Sequence, residues 1–126
     1  MVVYISGKIS GRKKEEYMKQ FADAEKKLTE QGYTVINPAR VNAEMPESTS
    51  YQVYMNMSKT MLEASDIIYM LKGWNLSNGA NTELQWALDR GMMIMFEEPE
   101  YIKKTIGLMN AAEQNYCKCA YKIGGK

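Results

Sequence analysis

The sequence predicts an α/β fold: a three-layer sandwich with a four- to five-stranded parallel sheet and helices on both faces. Two observations carry this. Short apolar runs alternate four times with longer amphipathic stretches. The apolar runs are hydrophobic at successive positions, as strands covered on both faces require.

Val2–Ser6 is the first such run, ended by Gly7, and Gly7–Gly11 reads as a turn. From Arg12 to Gln31 the apolar residues Tyr17, Phe21, Ala24 and Leu28 fall on one helical face, with Gly32 placed to cap it. Tyr33–Ile36 forms a second strand stopped by Asn37-Pro38. Ala39–Ser50 is polar and longer than a usual connection, so it reads as an exposed loop, a lid or binding loop rather than a linker. Tyr51–Ala64 is a helix with Tyr54, Met57, Met61 and Leu62 inward. Asp66–Leu71 is the third strand, with Asp66 a structural residue at its buried start. Ala80–Arg90 is a helix closed by Gly91, and Met92–Phe96 the fourth strand. A helix from Pro99 to about Ala112 and a short strand near Tyr121 complete the expectation.

The 126 residues suit one domain spanning 1–126. A net charge of +1 gives no bulk electrostatic case for nucleic acid or an anionic membrane, and no apolar run is long enough for a signal segment or a span. The basic clusters Lys8, Arg12–Lys14 and Lys118, Lys122, Lys126 offer anion contacts, although most of them read as solvated. Cys117 and Cys119 are a poor disulfide pair and half a metal site, and the chain has no histidine to complete one. Reduced thiols of a cytoplasmic protein, no metal and no cofactor are therefore expected. The missing histidine also excludes Ser-His and Cys-His nucleophiles, leaving acid–base chemistry to Asp, Glu, Tyr, Lys or Cys.

In an open parallel sheet, ligands sit at the carboxyl ends of the strands. That directs attention to three segments. In Ser6–Arg12, Gly7, Ser10, Gly11 and Arg12 suit an anion, although any strand-to-helix turn favours glycine. Asn37 closes the second strand. In Gly73–Glu83, Gly79 permits close backbone approach and Ser77 can bond a phosphate. Glu83, expected in the first helical turn, accepts from a sugar hydroxyl or serves as a capping-box residue. Trp74 stacks on a base or covers the sheet edge. Tyr4 offers a polar tip from a buried strand or is an ordinary core tyrosine.

Tyr4-Ile-Ser-Gly7, Gly32–Pro38, Asp66–Leu71, Gly73–Ala80 and Glu83, in this order and spacing, resemble the nucleoside 2-deoxyribosyltransferase-like family. The likeness is to its small, often phage-encoded members of unassigned activity and runs from Val2 to about Phe96. It implies a Rossmann-like domain in which Glu83 attacks or stabilises the sugar C1′, with Tyr4 beside it. Ser77, Gly79 and the loop Ser10–Arg12 would hold a 5′-phosphate. It also implies a homo-oligomer with sites near subunit interfaces. The family's enzymes carry an aspartate eight residues ahead of the position of Asp66, and this chain has Ser58 there. Serine hydrogen-bonds but is no base near neutral pH. The expectation is therefore binding of a nucleotide or nucleotide-derived signal without efficient turnover, in the phage setting sequestering a host anti-phage immune nucleotide. The alternative is an N-glycosidase or 2-deoxyribosyltransferase working through Glu83. A protein with an empty pocket is the third reading.

Overall fold

The computed structural model describes residues 1–99, and these form an α/β domain built on a four-stranded, all-parallel sheet. The strands are β1 (Val2–Ser6), β2 (Thr34–Ile36), β3 (Ile67–Met70) and β4 (Met93–Phe96). They lie in the order β2-β1-β3-β4, with Tyr4 opposite both Ile36 and Ile68. The helices are α1 (Lys14–Glu30), α2 (Pro38–Asn42), α3 (Tyr51–Glu63) and α4 (Asn78–Asp89), with a single 3-10 turn at Trp74–Leu76.

Strand periodicity divides the core into two clusters, one on each face of the sheet. Val3 and Ile5 of β1 pack with Ile67, Tyr69 and Met95 against Phe21, Ala24 and Leu28 of α1. The alternate residues, Tyr4, Ile68, Met70 and Ile94, pack against Leu62 of α3 and Ala80, Leu84 and Ala87 of α4. The three layers are thus α1, the sheet, and the α3–α4 pair. The chain leaves β1 toward β2 on one side and later returns past it to β3. This makes the gap between the carboxyl ends of β1 and β3 the point where the strand order reverses.

Several boundaries differ from the sequence reading for local reasons. Helix α1 begins at Lys14, because the chain first makes the turn in which the Arg12 amide donates to the Ile9 carbonyl and Gly11 takes φ 78°. Gly32, at φ 95°, ends the same helix as expected. The loop expected from Ala39 opens instead with α2. Pro38 fits its first position, and Asn37 Oδ1 accepts the amides of Ala39 and Arg40 at 3.1 and 3.3 Å. Asp66 is structural but exposed rather than buried. Its Oδ2 accepts the Val2 amide at 2.8 Å, and its own amide donates to the Val2 carbonyl at 2.8 Å, closing the start of β3 onto β1. The elements expected beyond Pro99, and the cysteines, lie outside the described residues. No described helix is long and apolar enough to cross a membrane.

Candidate functional site

The centre of the site is built by strand parity. Tyr4 and Ser6, two residues apart on β1, present their side chains to the same face of the sheet, where α4 crosses. Glu83 of α4 lies between them. The Tyr4 hydroxyl donates to Glu83 Oε2 at 2.9 Å, and the Ser6 hydroxyl donates to Glu83 Oε1 at 2.6 Å. The Ser58 hydroxyl, from α3, interacts with both the carboxyl and the phenol. All four residues are buried, Glu83 at 7 % exposure.

Burial dominates the electrostatics. It raises the Glu83 carboxyl above its ordinary value, against the pull of the hydroxyls of Ser6, Tyr4 and Ser58, which favour the ionised form. The Tyr4 phenol is pushed well above its ordinary value, first by burial and then by the neighbouring Glu83 charge. Tyr4 therefore stays a proton-bearing donor and Glu83 the acceptor.

Glu83 does not cap its helix. Helix α4 starts at Asn78, its cap is Ser77, and the Ser77 hydroxyl accepts the Ala80 amide at 3.1 Å. This moves Glu83 into the second turn and onto the buried face. A capping box would have turned it outward, so that reading is corrected.

Tyr4, Ser58 and Glu83 form part of the wall of a cavity of about 860 Å³ at the carboxyl end of the sheet. Gly7, Ser10, Ser77 and Gly79 line it as well, so the structure brings these expected residues together. The first amides of α4 there have no acceptor within the helix, which suits an anion. Gly7 also has a packing reason to lack a side chain, since a Cβ would lie 2.9 Å from Leu71 Cδ1.

Four expected residues are placed elsewhere. Arg12 is turned back, its Nη1 donating to the Lys8 carbonyl at 2.9 Å and to Gln20 Oε1 at 2.6 Å. Gly11 is exposed and serves the turn. Asn37 spends its oxygen capping α2, while its Nδ2 donates to Glu25 at 3.0 Å. Trp74 is a core residue, its ring centroid 5.9 Å from that of Phe96 at a 47° tilt. None of the four is part of the cavity wall.

The structure adds residues that the sequence does not single out. Ser6 reads only as the end of the first strand, although its parity with Tyr4 puts it on the same face. Tyr17, Tyr51, Tyr54 and Met55 supply an aromatic and thioether wall from α1 and α3. Asn42, Met45 and Glu47 come from the end of α2 and the α2–α3 connection, within the segment expected to border a site. Lys8 and Lys14, named above among the basic clusters, also line the cavity beside the first turn.

Residues 1–96 match the family described as Domain of unknown function (DUF4406). The chain belongs to that family. The DUF4406 match ends at Phe96, the last residue of β4, and so takes in the whole sheet and every residue named in the cavity wall. No curated protein matches the chain.

Proposed function

We propose that the DUF4406 cavity binds a nucleotide or nucleotide-derived molecule, with its sugar against Glu83, and holds it without efficient turnover. One observation carries the reading. Glu83 is a buried carboxylate in the cavity wall, gripped on both oxygens by protein hydroxyls, with serine rather than a second carboxylate at position 58. Such a group accepts hydrogen bonds from sugar hydroxyls, yet among the described residues no second buried carboxyl stands beside it to protonate a departing base. The surroundings supply matching chemistry. The α4 amino terminus, Ser10 and the two lysines suit a phosphate, and the tyrosine wall offers flat surface for a base.

A second reading, an N-glycosidase or 2-deoxyribosyltransferase using Glu83 on C1′, is favoured by the same burial. A carboxyl raised by desolvation inside a cavity is a common mark of catalytic sites. Glu47, exposed on the connection, is a second carboxylate along the wall. The resemblance noted above extends either reading to a homo-oligomer, and the first to sequestration of a host immune nucleotide.

The test is incubation of the protein with nucleotides, deoxynucleotides, NAD and cyclic nucleotides. Re-isolation, heat denaturation and mass spectrometry of what is released then follow. Intact ligand near one per site, with no free base, is the expected result. Free base accumulating with time would replace the first reading by the second, and no retained or altered nucleotide would overturn both.

A further inference from the structure

Ser6 stands behind the cavity rather than in it. Tyr4, Ser58 and Glu83 all form part of the cavity wall, and Ser6 does not. Its residue is 1 % exposed, and its hydroxyl makes the shortest of the carboxylate's hydrogen bonds, 2.6 Å to Oε1. The backbone beneath it is fixed on β3. Ser6 pairs with Met70, and its carbonyl accepts the Leu71 amide at 2.8 Å. At the next residue, Gly7, a Cβ would lie 2.9 Å from Leu71 Cδ1, so the strand end packs there without room for a side chain.

We infer that Ser6 is the positioning residue of Glu83: a rigidly mounted hydroxyl that touches no ligand, fixes one carboxylate oxygen from behind, and leaves the remaining acceptor capacity directed into the cavity. The inference rests on the proposed function only for what the carboxylate is offered to. A hydroxyl that donates to a carboxylate favours its ionised form. Ser6 therefore opposes the desolvation that raises the Glu83 carboxyl inside the wall. Tyr4 does the same for Oε2 but also lines the cavity, so the two hydroxyls differ in role. The other titratable groups of the wall are Lys8, Lys14, Glu47, Tyr17, Tyr51 and Tyr54, on α1, the loops and α3. None of them is hydrogen-bonded to Glu83 among the described residues.

The experiment titrates Glu83 directly and needs no ligand. Protein carrying 13C at the glutamate side-chain carboxyl is followed by NMR across pH, with the Glu83 signal assigned by its loss in Glu83→Gln. In Ser6→Ala the Glu83 midpoint is expected to rise by about one pH unit, since one hydrogen bond to the charged form is gone. Ser6→Cys, which keeps the volume and donates weakly, is expected to raise it in the same direction and serves if the alanine variant does not fold. An unchanged midpoint in a folded variant overturns the inference. Because no nucleotide is present, a failed ligand panel would sink the proposed function and leave this result standing.

Discussion

Tyr4 and Glu83, 79 residues apart in the chain, meet through a buried 2.9 Å hydrogen bond that ties the first strand to the second turn of α4. It is both a structural tie across two layers and half of the grip on the carboxylate. Tyr4→Phe keeps the ring and removes only the donor. It is expected to cost about 1–3 kcal/mol at pH 7, because a buried carboxylate loses a partner rather than gaining a hydrophobic contact. Urea unfolding at pH 7 and pH 5 measures it. The loss should shrink as pH falls toward and through the raised Glu83 midpoint, because the protonated acid demands less of its donors. Equal losses at both would show that the bond does not depend on the charge.

The pH dependence of stability follows from Glu83 itself. Its carboxyl is raised above the ordinary 4.5 by burial. Between the unfolded and folded values the native state therefore holds more protons than the unfolded chain. Stability from this group is fully present below the unfolded value and falls as pH rises through the folded value. Glu83→Gln removes the titration while keeping the shape. It should flatten the fall in Tm across that range and raise Tm at pH 8 by a few degrees, about 1 kcal/mol. Calorimetry from pH 4 to 8 checks it, and a variant with the same slope as wild type would refute the assignment.

Much of this arrangement is legible in residue patterning. The four apolar runs are four parallel strands, and the turn from Gly73 to Glu83 does border the cavity with β1. What patterning does not carry is competition for polar atoms. Arg12 and Asn37 suit ligand contacts by residue type, but nearby partners take them first: Gln20 and a carbonyl for one, a helix start and Glu25 for the other. Trp74 is ambiguous for a different reason. Whether an indole faces a ligand or the core depends on where Phe96 arrives, and β4 is distant in sequence. Ser6 does carry a usable signal, since a residue two positions from a site tyrosine on a strand shares its face.

Gly7 lies in the cavity wall, yet its glycine is dictated by packing. A Cβ there would meet Leu71 Cδ1 at 2.9 Å and Leu71 Cβ at 3.1 Å. Gly7→Ala is expected to destabilise by about 1–3 kcal/mol through overpacking of a fully buried leucine. Leu71→Ala alone opens a cavity and costs about 2–5 kcal/mol. In the double variant the new methyl occupies part of that space, so the two costs should not add, and the sum should be undershot by about 1 kcal/mol or more. Chemical denaturation of the three variants tests this; additive losses would show that the two side chains do not collide.

Gly79 poses the opposite case, and it separates ligand contact from fold. A methyl at this position would stand 3.4 Å from the Tyr51 hydroxyl, 3.5 Å from Met55 Sδ and 3.8 Å from Ser77 Oγ, all ordinary contacts. The residue is the second of α4, where alanine is the better helix former by up to about 1 kcal/mol. Gly79→Ala should therefore leave stability unchanged or raise it by about 0.5 kcal/mol. The same methyl occupies cavity space beside the first amides of the helix, where an anionic group would approach most closely. Retention of the nucleotide found for the wild type should fall at least about tenfold, the effect of losing about 1.4 kcal/mol of binding. Thermal unfolding and ligand retention measured on one preparation give both signs. Full retention in a stable Gly79→Ala protein would remove the α4 amino terminus from the binding site and leave the anion to Lys8, Ser10 and Lys14.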